Sequence, residues 1–297
     1  MCACEQKTET NPFFTEFRTE YGAPDFDKIK IEHYEPAFLK GIEEQNAEIK
    51  AIVESRETPG FENTIVALDN SGRTLARVKG VFYALTEADT NDEMSALSEK
   101  IAPVLSEHND NIYLNQDLYK RVAAVWQQEQ EGKITLTTEQ HRLLDRYYKA
   151  FIRSGAGLDA GKQNRLREIN KELSTLAITF SNHVLNENNA YRLVIDNEAE
   201  LAGLPEWVKT GAAEEAKAVG KEGKWLFTLQ NSSRLPLLQY ADNRELRKDI
   251  YEAYINRGNN GDANDNKEIL KKIISLRLEK ANLLGFDCYS NFVLDEN

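Results

Sequence analysis

The sequence predicts an all-α fold, mainly helical, with one short two-stranded β ribbon. Three observations lead there. Apolar residues recur at three- and four-residue intervals over most of the 297 residues, which is the period of one helix face. Only 191–195 and 225–229 are short, rich in aromatic or β-branched residues and flanked by polar or glycine breakers, as strands require. The composition, 41% hydrophobic and 29% charged with 16 Gly and 7 Pro, is that of a globular chain long enough to bury its own core without disulfide or metal staples.

In chain order, helices are expected near 33–55, 63–88, 91–109 and 115–131, the second and third separated by the polar turn Asp89-Thr90-Asn91-Asp92. Thr137 with Gln140 forms a capping box, opening a helix that carries Leu143, Leu144, Tyr147, Tyr148 and Phe151 and stops at Gly155. The strongest helix covers 159–189. Leu166, Ile169, Leu173, Leu176, Phe180 and Val184 step along one face, Asp159 is its N-cap and Asn188-Asn189 marks its end. After the first strand come helices near 205–219, 232–241, 243–256 and 266–284. Phe292, Val293 and Leu294 begin an apolar stretch that meets the end of the sequence at Asn297, as though a helix were interrupted. No fixed-period repeat is visible, so a solenoid is not expected.

Charge narrows the function. Lys and Arg number 37 against 49 Asp and Glu, a net −12, and such a surplus of carboxylates repels phosphate backbones and anionic membranes; nucleic acid is not an expected partner. No stretch approaches the about 18 to 20 consecutive apolar residues of a membrane span. Cys2, Cys4 and Cys288 make neither a disulfide framework nor a paired CxxC metal site.

The search for chemistry within the chain yields no complete centre. An HExxH zinc site needs two His one helical turn apart, yet Ala37, Ile112, Asp145 and Glu187 follow His33, His108, His141 and His183 by four residues. His141 with Asp145, or His183 with Glu187, offers two ligands and lacks a third, so these are read as helix-surface pairs. Gly155-Ala156-Gly157 follows a helix where a phosphate loop would follow a strand. Asp262, Asn264 and Asn266 imitate half of an EF-hand, but Lys267 and Ile273 stand where Gly and Glu are required. That segment is read as a solvated turn with Asp265 or Asn266 capping the next helix. The aromatics Trp126, Tyr147, Tyr148, Phe151 and Phe180 are read as core, and no Gly-x-Ser-x-Gly nucleophile turn occurs.

Many short stretches, in order and spacing, resemble one family: Asn11-Pro-Phe-Phe, His33-Tyr-Glu-Pro-Ala-Phe, Asn63-Thr-Ile-Val-Ala-Leu, Thr90-Asn-Asp-Glu, Asn111-Ile-Tyr-Leu-Asn, Leu166 through Leu185, Leu201-Ala-Gly-Leu, Lys224-Trp-Leu, Asn264-Asp and Leu283-Leu-Gly-Phe. From Asn11 to Leu294 the chain is similar to the N-terminal part of the dipeptidyl carboxypeptidase branch of the thimet oligopeptidase family of zinc metallopeptidases. The resemblance implies one lobe, 11–297, of a two-lobed helical enzyme whose narrow channel admits short unfolded peptides. It implies zinc in the full-length parent, where the metal polarises the scissile carbonyl and activates water while the motif Glu takes its proton. In the family the HExxH, the third ligand Glu and the transition-state Tyr and His lie in the C-terminal half. None of those positions exists here, so no catalytic residue and no metal ligand is assigned, no zinc is expected on this chain alone, and its partner would be the missing catalytic half. The sequence would then be a fragment or a truncated product, inactive by itself. Tyr147, Arg153, Asn182 and His183 are the candidate channel contacts, Arg153 as a fork for a peptide carboxylate. A stand-alone helical module that holds peptides or a protein without cutting is the alternative.

At the start, Met1-Cys2-Ala3-Cys4 resembles the tail of a bacterial lipoprotein signal, with Cys4 as lipid acceptor and 1–10 as a tether. With lipid on Cys4 the protein would face the periplasm or outer envelope and touch the membrane there; otherwise it would be cytoplasmic.

Overall fold

The computed structural model describes residues 11–295; Cys4 and the rest of the 1–10 tether lie outside them. Twelve helical elements and one ribbon make up the described residues: α1 Tyr34–Glu54, α2 Ala67–Asp69, α3 Arg73–Ala88, α4 Asp92–Tyr113, α5 Gln116–Gln130, α6 Thr138–Arg153, α7 Ala160–Ala190, β1 Leu193–Ile195, α8 Glu206–Ala218, β2 Trp225–Phe227, α9 Asn231–Tyr240, α10 Arg244–Ile255, α11 Lys267–Leu283 and α12 Tyr289–Leu294. Short 3₁₀ turns lead in at 12–33 and recur at Glu198–Leu201. The fold is therefore mainly α, and the two strands pair antiparallel, Leu193 opposite Phe227, Val194 opposite Leu226 and Ile195 opposite Trp225. No helix among the described residues is long and apolar enough to cross a membrane.

The caps show why the helices begin where they do. Asn91 Oδ1 accepts from the Met94 N–H at 2.9 Å, Asp159 Oδ1 from the Lys162 N–H at 3.0 Å, and Thr137 and Gln140 exchange the two bonds of a capping box. Two expectations need correction. The helix expected over 63–88 is three pieces: a π-helical turn at Phe61–Val66, α2, and α3 after a break at 70–72. Gly72 takes φ +73° there, and a Cβ on it would lie 2.5 Å from the Gln45 side chain. Its N–H donates to Glu48 Oε2 at 2.7 Å, so side chains of α1 hold the break open. The run 258–266 is also more than a solvated turn, because Asn266 is 4% exposed and hydrogen-bonded into its surroundings.

The chain forms two compact units, one of Met1–Thr175 with Leu276–Asn297, the other of Leu176–Ser275. The first unit has two apolar clusters. In one, Tyr34, Phe38 and Tyr83 pack around Phe82 at ring separations of 5.1 to 5.3 Å. Burial pushes the Tyr34 hydroxyl up to about 12. The other joins α5 and α6, with Trp126 stacked on Tyr148 at 4.4 Å and Phe151 fully buried. A polar bridge also crosses this unit: Lys280 Nζ donates to Asn170 Oδ1 (2.7 Å) and Asn170 Nδ2 to the buried Asp110 carboxylate (2.8 Å). Burial moves the Asp110 carboxyl up and the Lys280 amine down. Arg165 closes a bidentate pair with Glu279 at 2.6 and 2.8 Å. The second unit packs α8, α9 and α10 against the ribbon around Leu201, Phe227, Leu237 and Ile250.

Candidate functional site

Tyr147 sits in the first unit on α6, and its hydroxyl donates to Asp69 Oδ1 at 2.9 Å. Burial first, then that bond and the Asp69 charge, hold the phenol proton on far above the usual range. The residue lines a cavity of about 190 Å³ together with Gln45, Ser71, Lys79, His108 and Asn109. Its floor is polar. His108 is 5% exposed and its Nε2 lies 2.8 Å from Gln45 Oε1, while Gln45 Nε2 donates to Ser71 Oγ at 3.1 Å and Ser71 Oγ to the Leu68 carbonyl at 2.8 Å. Because each donor in this run is already committed, Nε2 must carry the His108 proton, and Nδ1 is left a buried lone pair with no hydrogen-bond partner. Burial first and the Lys79 charge second push the His108 imidazolium down.

Arg153, further along α6, is fully engaged inside the same unit. It donates to Asp295 Oδ2 and to the Phe292 carbonyl, both at 2.7 Å, and its guanidinium lies 4.5 Å from the Phe292 ring centroid. The apolar stretch from Phe292 lies in a helix, α12, that begins earlier, at Tyr289, and ends at Leu294.

Asn182 and His183 belong to the second unit, on the C-terminal part of α7, where both are half-buried. His183 Nδ1 lies 2.9 Å from Asn266 Oδ1, and Asn266 Nδ2 donates to the Phe180 carbonyl at 3.0 Å. The same loop is tied down by Glu187, whose Oε2 accepts from the Gly258 N–H at 3.1 Å and from Asn260 Nδ2 at 2.8 Å, and by Arg257, which donates to Asn188 Oδ1 at 2.8 Å. Gly258 has φ +71°, and a Cβ there would stand 2.8 Å from Asn266 Nδ2. A second recess, about 180 Å³, lies beside α8 and β2 with the exposed Trp207 among its lining residues.

Neither His/carboxylate pair read from the sequence is a pair in space. His141 Nδ1 meets Glu129 at 2.8 Å and Asp145 meets Lys149 at 2.8 Å, while His183 and Glu187 hold different parts of one loop. Among the described residues no group of three or more His, Cys, Asp and Glu side chains is placed to hold a metal ion. The donors present do not fit a zinc site, which needs three or four converging ligands. The grouping of Gln45, Ser71, Lys79 and His108 had no signal in the sequence: His108 and Gln45 stand 63 residues apart and obey no motif spacing.

Comparison with known proteins shows what the chain is similar to. Residues 237–297 match the model of peptidase family M3. The chain is 38% identical over 283 residues to dipeptidyl carboxypeptidase of Escherichia coli (strain K12), covering 95% of this chain and 41% of that protein. Dipeptidyl carboxypeptidase of Salmonella typhimurium is 38% identical with the same two coverages, and oligopeptidase A of Salmonella typhimurium is 33% identical over 95% of this chain and 41% of its own length. The chain thus spans about two fifths of the length of these curated relatives. The similarity runs along nearly the whole sequence, and its last 61 residues, 237–297, are similar to the model of peptidase family M3.

Proposed function

We propose that this chain is the helical substrate-side portion of a zinc peptidase that hydrolyses short peptides and releases dipeptides from their C-terminus. The observation that carries the reading is the 38% identity to a dipeptidyl carboxypeptidase along 95% of the chain. The metal and the water-activating base would be supplied by family positions that this sequence does not contain, because its own described residues offer no zinc donor set. Zinc, when bound in such an enzyme, acts as a Lewis acid on the peptide carbonyl. The chain's part is binding and positioning. In this reading the first unit offers the Tyr147 hydroxyl and Arg153, which can exchange the Asp295 carboxylate for a peptide carboxylate of the same geometry, and the second unit separately offers Asn182 and His183 as candidate peptide contacts. The partners are short unfolded peptides and the remaining catalytic portion. If Cys4 carries a diacylglyceryl group, this chemistry takes place on the periplasmic or outer-envelope side; an intact-mass measurement of the native protein reads that directly.

The test incubates the purified chain with zinc and a short peptide, followed by mass spectrometry of the products, alongside fluorescence anisotropy with the same peptide labelled. Binding without release of dipeptides supports the proposal. Metal-dependent release at enzyme-like rates overturns it, and so does the absence of any peptide binding.

A further inference from the structure

The loop 258–266 of the second unit contains the one Asn-Gly pair of the 297 residues, Asn260-Gly261. Such a pair is among the most labile amides a chain carries in water. Glycine has no side chain to keep its main-chain nitrogen away from the preceding asparagine's side-chain carbonyl, and asparagine is one of the residues that heat-adapted proteins avoid. When the two groups meet, the Gly261 nitrogen gives up its proton and bonds to the Asn260 side-chain carbonyl carbon. The bond from that carbon to the amide nitrogen breaks, and ammonia leaves with the proton. Water then opens the succinimide ring at either carbonyl, giving aspartate or isoaspartate. Asn260 and Gly261 are both exposed, and nothing lies within 4 Å of where a Cβ on Gly261 would stand, so water reaches the pair.

The fold keeps both reacting groups occupied. Asn260 Nδ2 donates to Glu187 Oε2 at 2.8 Å, which draws the side-chain amide onto α7, and the Gly261 N–H donates to Asp265 Oδ2 at 2.7 Å. Both acceptors are carboxylates, which make the stronger kind of hydrogen bond. Hydrogen bonds from Lys267, side chain first and main chain second, bring the Asp265 carboxyl down to about 2 and so keep it an acceptor. We propose that Asn260-Gly261 is a latent deamidation site latched by Glu187 and Asp265, at which water converts Asn260 to aspartate or isoaspartate once the loop opens, and that the product cannot close the latch again. The site owes nothing to the peptide-hydrolysis reading. After the reaction an anionic oxygen replaces the amide that donated to Glu187, so like charges stand where a hydrogen bond was. The Gly258 N–H shares the same Glu187 oxygen at 3.1 Å, so the start of the loop loosens as well.

The experiment holds the full chain at mildly alkaline pH, folded and in parallel unfolded in guanidinium chloride, and follows the peptide containing Asn260 by mass spectrometry, with isoaspartate and aspartate separated by chromatography. Asn260 in the folded chain should react at least about tenfold more slowly than in the unfolded chain, because only the open fraction reacts. Asp265→Asn keeps an oxygen for the Lys267 N–H but sets amide hydrogens where the Gly261 N–H had its acceptor. It should speed the reaction of the folded chain by about fivefold to tenfold. Asn260→Asp, which is the product itself, should quicken hydrogen exchange of the Gly258 amide by about tenfold. The first and third measurements decide the matter if Asp265→Asn does not fold. Equal rates in the folded and unfolded chain, no reaction at Asn260 in the unfolded chain, no gain in folded Asp265→Asn, or Gly258 exchange unchanged by Asn260→Asp would overturn the proposal.

Discussion

Two imidazoles, one in each unit, meet an amide oxygen at nearly the same distance, yet they serve different ends. His183 in the second unit pairs with Asn266 (2.9 Å), and Asn266 is used on every side, with its Nδ2 on the Phe180 carbonyl and its backbone N–H on the Gly258 carbonyl at 2.7 Å. His108 in the first unit pairs with Gln45 (2.8 Å) and keeps its other nitrogen buried without a hydrogen-bond partner. The contrast teaches that an amide–imidazole bond fastens a loop where the amide's other groups are also engaged, and leaves a buried nitrogen unmet where the fold offers the imidazole no second partner. Energetics follow the number of groups stranded when the pair is broken.

The largest effect is expected from Asn266→Leu. It strands the His183 N–H and removes the second bond that the Phe180 carbonyl accepts beside its helical one, for a loss of about 2 to 3 kcal/mol in the stability of the second unit, read by urea unfolding with a probe in that unit. Gln45→Leu on the other side should cost less, about 1 to 2 kcal/mol, since water in the cavity can take the place of the amide at His108. Equal losses for the two would break the comparison. Acid sharpens it further. Burial and Lys79 depress the His108 pKa below 6.5, so the folded state holds fewer protons there than the unfolded state. This stabilisation is present above about 6.5 and fades as the pH falls through the unfolded-state value, and His108→Gln should flatten that part of the urea-midpoint profile. Smallest of all is Lys120→Ala, which removes an exposed ion pair with Asp117 and should shift stability by less than about 0.5 kcal/mol.

Most of the helices were legible because their signals are local. Thr137, Asp159 and Asn91 act as caps where their side chains predict it, and the aromatic and β-branched runs near 191–195 and 225–229 do pair. The break at 70–72 was not legible as a break. Ile65, Leu68, Leu75 and Val78 keep the helical phase across it, while its cause, Gln45 and Glu48, lies 24 or more residues upstream. The loop 258–266 reads as polar and solvated for a similar reason: its partners Phe180, His183 and Glu187 stand more than 70 residues earlier. The stripe along α7 predicts one long helix, which forms at Ala160–Ala190, with burial complete at Leu166 and Ile169 and partial beyond. Of Tyr147, Arg153, Asn182 and His183, Tyr147 alone lines the cavity, and the polar groups beside it there share no motif.

The reading proposed for this chain is that it binds and positions peptides while its described residues hold no metal ion. Its most direct test is elemental analysis of the purified chain after equilibration with zinc and passage through a desalting column. The account predicts no stoichiometric zinc retained; one tightly held equivalent per chain, lost on substitution of its own His or carboxylate side chains, would contradict it.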